Sequence, residues 1–369
     1  MGTFLWGALA FKYGWPPKGK INEAADMISE VVSPSDNLLA ATPARNKVPI
    51  QTYLPAQVQP GLLLVALGAG NRDTRVQVIT REGKVLNEWY VRWSDIWRND
   101  EGRWPKIRRT NTGMFLHGLE ILPDASIVTN FEYLSTIRLD ACNKHVWKLD
   151  NMGHHAVHRA ADGTLWVTAL DFLDKNPTGY PLHLAPFESY LLQQISEDGK
   201  IMRSIPIVDV LRKNDLNGLL YLSSVDTYTP AVIGDTMHLN DIETFPENWP
   251  SEMFAPGDIL MSLRNINTVM VIDPKTLKVK WRTTGEMLRQ HDADFMPGDH
   301  ISVFDNNNFD SAPEAGPPAS RIVEFDARTN TKKTVISGAG VEPFFTRTKG
   351  VHQRLSNGNI LVAVSESDS

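Results

Sequence analysis

Cysteine is nearly absent: Cys142 is the single one in 369 residues, which excludes an internal disulfide framework and any zinc site built on thiolates. Long basic runs are absent too. With 37 Lys and Arg against 43 Asp and Glu the net charge is −6, so a nucleic-acid partner is not expected, and "KIRRT" around Arg108 reads as a solvated turn. The chain also lacks a long apolar run near its start. "MGTFLWGALAFKYGWPPKGKI" offers only about eight mostly apolar residues before Lys12, against roughly 20 needed to cross a bilayer. Two readings stay open for it, the tail of a membrane anchor or a short packing segment, and Pro16 and Pro17 end it in either case. What is present suffices for a globular protein, because 42% hydrophobic residues can build a core in one large domain or two ordinary ones.

After the prolines, "INEAADMISEVVS" places Ile21, Ala24, Ala25 and Ile28 on one helical face. The expected division is a helical segment over residues 1–50 and a β-rich domain over 51–369. From Gly61 onward, short runs of Val, Ile, Leu and Trp alternate with turn residues. One unit recurs in this region, a strand, a polar turn and a second strand near a lysine: "VITREGKVLNEW", "IRLDACNKHVWKL", "QISEDGKIMRSI", "VIDPKTLKVKW" and "EFDARTNTKKTVI". A second unit, a strand announced by histidine, precedes the last four of these as "HGLEILPDASIVTN", "HAVHRAADGTLWVTAL", "HLNDIETFPENWPSEMFAPGDILMSL" and "HDADFMPGDHISVF". "HQRLSNGNILVAV" closes the chain as a fifth copy. Six such modules predict an all-β, six-bladed β-propeller whose last blade is incomplete unless the N-terminal region lends it a strand, with a β-sandwich or a two-domain all-β chain as the plainer competitor. The long interval between His155 and His238 contains a helical piece, "IVDVLRKNDLNGLL", expected to cover one end of the channel.

The histidines of the second unit share a register. His117, His155, His238, His291 and His352 each stand just ahead of an innermost strand, which in a propeller is the channel mouth. Independent surface residues would not repeat at one register. His145, His183 and His300 lack the pattern and read as ordinary surface or packing residues, while His154 and His158 flank a pattern member. In "HLND", Asn240 falls on the same side of an extended chain as His238, and Asp241 on the other. Arg264 and Asn265 lie between two apolar strands, where the arginine is either a surface residue or a clamp for a tetrahedral oxyanion. Imidazoles, a guanidinium and an amide in one pocket suit sulfuryl or phosphoryl transfer.

From about Gly61 to the end the chain resembles the bacterial arylsulfotransferases, which use aryl sulfate esters in place of a nucleotide donor. The resemblance rests on "GHHAVHRAADGTLWV", "HLNDIE", "GDILMSLRNINTVMVID", "RQHDADFMPG" and "GVHQRLSNGNIL". It implies a ping-pong reaction in which His291 attacks the sulfur of a phenolic sulfate and carries the group as a sulfohistidine. His238, Asn240 and Arg264 would hold the sulfuryl oxygens. His155 would protonate the leaving phenolate or deprotonate the acceptor. His117, His154, His352 and Asn265 complete the expected substrate contacts. The partners implied are an aryl sulfate and a phenolic acceptor, with no metal or other cofactor, and the location implied is periplasmic or exported, with possible membrane association through the N-terminus.

Three features depart from the family pattern. A short helical preface is expected where some family members carry a separate β-domain, no cysteine pair exists, and "NGNILVAVSESDS" supplies one strand of the last blade, so that "NKVPIQTYL" is the candidate to complete it. Two other readings stand beside the transferase. One is a metal-dependent propeller enzyme such as a polysaccharide lyase, its metal held by the imidazoles with Asp241, Asp292 and Asp294 assisting. The other is a non-catalytic ligand-binding propeller. Trp89, Trp147 and Trp281, in the last strand of the hairpin unit, are expected in the interblade core.

Overall fold

The computed structural model describes residues 54–67, 74–97, 116–177, 180–224, 228–308, 317–340 and 343–364. The expected N-terminal helix, the 1–50 segment and all of "NKVPIQTYL" except Leu54 lie outside these residues. Antiparallel meanders dominate. The first sheet contains β1 (Leu63–Leu67), β2 (Thr74–Ile79) and β3 (Val85–Val91); the second contains β4 (Leu116–Ile121), β5 (Ile127–Phe131), β6 (Ser135–Leu139) and β7 (His145–Leu149). The third joins β8 (Gly153–Arg159), β9 (Leu165–Leu173), β10 (His183–Ile195) and β11 (Ile201–Pro206), with β12 (Val232–Gly234) running parallel to the start of β10. The fourth is β13 (Leu239–Thr244), β14 (Ile259–Leu263), β15 (Thr268–Ile272) and β16 (Val279–Thr284), and the fifth is β17 (His291–Met296), β18 (His300–Asp305), β19 (Arg321–Asp326) and β20 (Thr331–Ser337). A final hairpin pairs β21 (Val351–Arg354) with β22 (Ile360–Ala363).

The opening strands β4, β8, β13, β17 and β21 adjoin one another in sequence, which makes them the inner wall of a propeller and sets the remaining strands outward. Side chains stitch this wall together. Glu120 of β4 accepts the Arg159 N–H, Asp241 and Glu243 of β13 accept those of Ala293 and Phe295, and Asp292 of β17 accepts that of His352. His158 Nε2 meets the Thr244 hydroxyl at 2.8 Å between β8 and β13.

Among the described residues five sheets have three or more strands, so the blades seen number five and not the expected six. The His352 module is the reason: among the described residues β21 and β22 pair only with each other, and a two-stranded ribbon is not a blade. Its turn is held from the other end of the chain, since the Gln59 side chain accepts from Ser356 and Asn357, and the Gln57 carbonyl from the amides of Asn357 and Asn359.

Packing between sheets is apolar, and the tryptophans bridge it. The Trp89 indole of β3 donates to the Asp140 carbonyl, Trp147 of β7 donates to the Glu197 carbonyl, and Trp281 of β16 packs on Phe325 of β19, each reaching the next sheet. Gly199 is required opposite Trp147: its φ is +80°, and a Cβ there would lie 2.6 Å from the ring. The predicted helix forms as α1 (Ile207–Lys213), but it packs on the outer strands β10 and β11 and not on the inner wall. Four of its seven residues, Ile207, Val208, Val210 and Leu211, are buried there, and Asn214 beyond it bonds to Leu277 and Val279 of the following sheet. The insertion returns through β12, which delivers Asp235 to the inner wall.

Candidate active site

Each of the four full inner strands carries a register irregularity at its histidine-bearing end. The shifts fall between His117 and Leu119 in β4, Gly153 and Val157 in β8, Leu239 and Asp241 in β13, and His291 and Ala293 in β17. A bulge re-aims side chains that alternation alone would send to the sheet faces. Gly118 shows why one is tolerated in β4, because with φ +45° a Cβ would stand 2.2 Å from the His155 carbonyl.

The result is a cluster of imidazoles. His117 stacks on His155 with ring centroids 4.2 Å apart, and His155 stacks on its neighbour His154 at 4.3 Å. His238 meets both edge-on, and its Nε2 lies 3.1 Å from His155 Nε2. His291 is the next ring outward, 6.2 Å from His155. His154, His155, His238 and His291 are buried, which favours their neutral forms. Burial, with His238 next, holds His154 at about 3; burial, then Arg264, pushes His291 well below the usual range; His155 and His238 are also lowered, by burial first.

Two carboxylates that the sequence did not single out underlie this cluster. Asp235 Oδ2 lies 2.5 Å from His238 Nδ1, and Glu132 lies 3.3 Å from His117 Nε2 and 3.6 Å from His154 Nε2. Burial opposes their charge. His117, His154 and His238 nevertheless hold Glu132 at about 2, and His238 with Arg264 holds Asp235 well below the carboxylate range. Tyr190 places its hydroxyl 2.8 Å from Glu188 and 2.9 Å from Asp235, and burial with Asp235 lifts Glu188 to about 7. Asp235 stands three residues before His238, a spacing visible in "GDTMH" but carrying no periodic signal; Glu132 had none.

His238 donates its Nδ1 proton to Asp235, so its Nε2 is the acceptor and His155 Nε2 the donor of the 3.1 Å bond. His291 donates from Nδ1 to the Asn306 amide oxygen at 2.7 Å, and its Nε2 lone pair accepts the Lys349 N–H at 3.1 Å. Asn306 is itself fixed by the Thr346 and Lys349 carbonyls. Arg264 approaches Asp235 at 3.7 Å and is braced by Asn265, whose oxygen also accepts from Arg289 and whose amide donates to the Asp235 carbonyl. Asn240 donates to the Gln290 carbonyl at 2.8 Å.

His352 is placed differently. Its Nδ1 meets Asp292 at 2.5 Å and its Nε2 meets Ser302 at 2.7 Å, with Asp294 at 3.7 Å, among carboxylates and not among the other rings. β21 carries no register shift, so nothing re-aims its histidine. Of the residues set aside, His183 packs among Tyr180, Phe187 and Tyr221, and His145 is exposed.

The family model described as "Arylsulfotransferase (ASST)" matches residues 118–368. The chain belongs to the arylsulfotransferase family. That match spans β8, β13 and β17 whole and β4 from Gly118 onward, so it takes in every imidazole of the cluster except His117, and it makes a sulfotransferase-like role with small-molecule substrates the coarse functional assignment. No curated protein sequence matches the chain. Among solved structures, a protein of unknown function from Bacteroides caccae is 10% identical over 74% of this chain and 77% of that one, with a TM-score of 0.40. A streptogramin B lyase is 11% identical over 79% and 70%, TM-score 0.40, and virginiamycin B lyase from Staphylococcus aureus is 11% identical over 70% and 62%, TM-score 0.35.

Proposed function

We propose that this arylsulfotransferase moves a sulfuryl group from a phenolic sulfate ester to a phenol in two half-reactions through a sulfohistidine on His291. The supporting observation is the seat of that ring: its Nδ1 is committed to the Asn306 amide oxygen, its Nε2 is held by a single backbone N–H, that of Lys349, and burial, then Arg264, favours the neutral form that leaves this nitrogen nucleophilic. In the first half-reaction Nε2 forms a bond to sulfur as the S–O bond to the phenolate breaks, and the phenolate leaves with the electron pair. The Lys349 N–H must give way to sulfur for this to happen. Asn306 accepts from Nδ1 throughout and so stabilises the positive charge that grows on the ring.

Arg264, braced by Asn265, supplies the nearest guanidinium to the sulfuryl oxygens, with His238 and Asn240 beside it. Transfer of this kind has a loose transition state that needs positioned donors more than covalent machinery. In the second half-reaction the His155–His238 pair, neutral and linked to Asp235, takes the phenol proton as the phenolate oxygen attacks sulfur and the N–S bond breaks. An exported, periplasmic setting, where aryl sulfates are met from outside, belongs to the same proposal. The test is release of nitrophenolate from 4-nitrophenyl sulfate in the presence of a phenol. Turnover that disappears in His291→Ala supports the reading, and wild-type silence across varied donors and acceptors rejects it.

A further inference from the structure

His154 occupies a position that a neutral imidazole cannot satisfy. It is fully buried, its Nδ1 lies 3.2 Å from the Leu239 carbonyl oxygen, and its Nε2 faces a Glu132 carboxylate oxygen at 3.6 Å without a hydrogen-bond partner. Both neighbours are acceptors. Whichever nitrogen bears the single proton, the other directs a lone pair at an oxygen.

If Nδ1–H donates to Leu239, His154 Nε2 keeps a lone pair, as His238 Nε2 does, while His155 Nε2 carries the proton shared with His238. One ring nitrogen from each of these three residues lies within 4.8 Å of the others. Two of the three outer atoms are arranged as metal-bound histidines require, His238 Nδ1 on the Asp235 carboxylate and His154 Nδ1 on a backbone carbonyl, while His155 Nδ1 is buried without a hydrogen-bond partner. The 3.1 Å between His155 Nε2 and His238 Nε2 is close to the separation of two ligands sharing an ion at about 2.0–2.1 Å each. Glu132 lies 3.6 Å from His154 Nε2 and falls in a second such group with His117 and His155, so it stands at the edge of the three-ring site as an anionic donor.

We propose that His154, His155 and His238, with Glu132, form a binding site for a divalent transition metal such as zinc or cobalt. Three imidazoles and a carboxylate select borderline ions of this kind over calcium or magnesium. On binding, His155 moves its proton from Nε2 to Nδ1 and keeps its neutral charge, and the ion takes the place between His154 and Glu132 where two acceptors now meet. The site does not depend on the sulfuryl-transfer reading. Under that reading, metal and donor would compete for His155 and His238.

The experiment is titration of the full chain, tag-free and stripped with chelator, with Co²⁺ and then Zn²⁺. The expected result is one equivalent of Co²⁺ giving the visible d–d bands of a four-coordinate ion, displaced by Zn²⁺. The bands should vanish in His154→Ala and persist in His300→Ala, whose ring lies outside the cluster. Asp235→Asn should weaken binding about 10–100-fold through the lost support of His238. Circular dichroism reports whether each variant is folded, and the wild-type titration stands without them. Absence of saturable Co²⁺ binding, only six-coordinate spectra, or equal binding by folded His154→Ala overturns the proposal. So does a nitrogen-15 NMR signature of a doubly protonated His154 unaffected by Zn²⁺, since a proton would then fill the place assigned to the metal.

Discussion

Two clusters line the same inner wall and treat charge in opposite ways. Around His155, rings surround the carboxylates Glu132 and Asp235, which stay ionised because imidazoles and Arg264 face them. Around His352, carboxylates face carboxylates. Burial, then Asp292, raises Asp241 to about 8, burial raises Asp292 to about 7, and burial, then Asp294, holds Glu243 well above its usual range. The difference lies in what the side chains hold. Asp241, Glu243 and Asp292 each accept a backbone N–H of the next inner strand, so they fasten the wall, whereas Glu132 and Asp235 hold imidazole side chains.

After the loss of turnover in His291→Ala, the largest effect should come from Asp235→Asn. Losing the charge frees the His238 tautomer and weakens proton removal from the acceptor, with turnover falling by at least about 10²-fold. Steady-state assays with a poor acceptor phenol would show it, and an unchanged rate would place Asp235 with the fastening carboxylates. Arg264→Lys comes next. A lysine cannot keep the planar brace to Asn265, and the expected loss in kcat/KM for the donor is about 10-fold or more. An effect on acceptor KM alone would break the assignment of Arg264 to the sulfuryl oxygens.

The third prediction concerns stability and pH. Asp241 has a folded pKa above its unfolded value, so the unfolded state releases its proton first and stability falls as pH rises from about 4 toward about 8. Glu132 and His154 are both lowered, so their contributions are lost as pH falls, below about 4.5 for Glu132 and below about 6.5 for His154. Asp241→Asn keeps an acceptor for the Ala293 N–H without the charge, and thermal melts should show it about 2–4 °C more stable than wild type at pH 8.5 but indistinguishable at pH 5. Equal midpoints at both pH values would remove the contrast between the clusters. The smallest effect should be that of Trp89→Phe, which gives up one indole hydrogen bond to Asp140 at a cost of about 1 kcal/mol without touching turnover. A drop in activity would show that interblade packing, and not only the inner wall, sets the site.

The propeller and the meeting of distant histidines were legible in the sequence because both depend on repetition, and a repeated register puts equivalent residues at equivalent places. His352 shows the limit of that logic. It shares the register of His117, His155, His238 and His291, yet its strand has no bulge, and bulges arise from backbone pairing that residue types do not announce. The sixth blade is not seen for a related reason, since among the described residues the His352 module holds one hairpin and no further strand pairs with it. Glu132 and Asn306 were invisible because they meet their rings through a distance and not through a spacing, and Asp235, only three residues before His238, carried no periodic signal. The helix after β11 was read correctly as a helix and misplaced, because its apolar face fits outer strands as well as it would a channel mouth.

Trapping the intermediate tests the central claim most directly. Wild-type protein mixed with an aryl sulfate in the absence of acceptor, quenched at alkaline pH and digested, should yield the peptide containing His291 heavier by one sulfuryl group, and a phenol should discharge it before the quench. A labelled peptide carrying His238, His155 or His352 instead, or turnover with no labelled peptide at any time, would contradict the account.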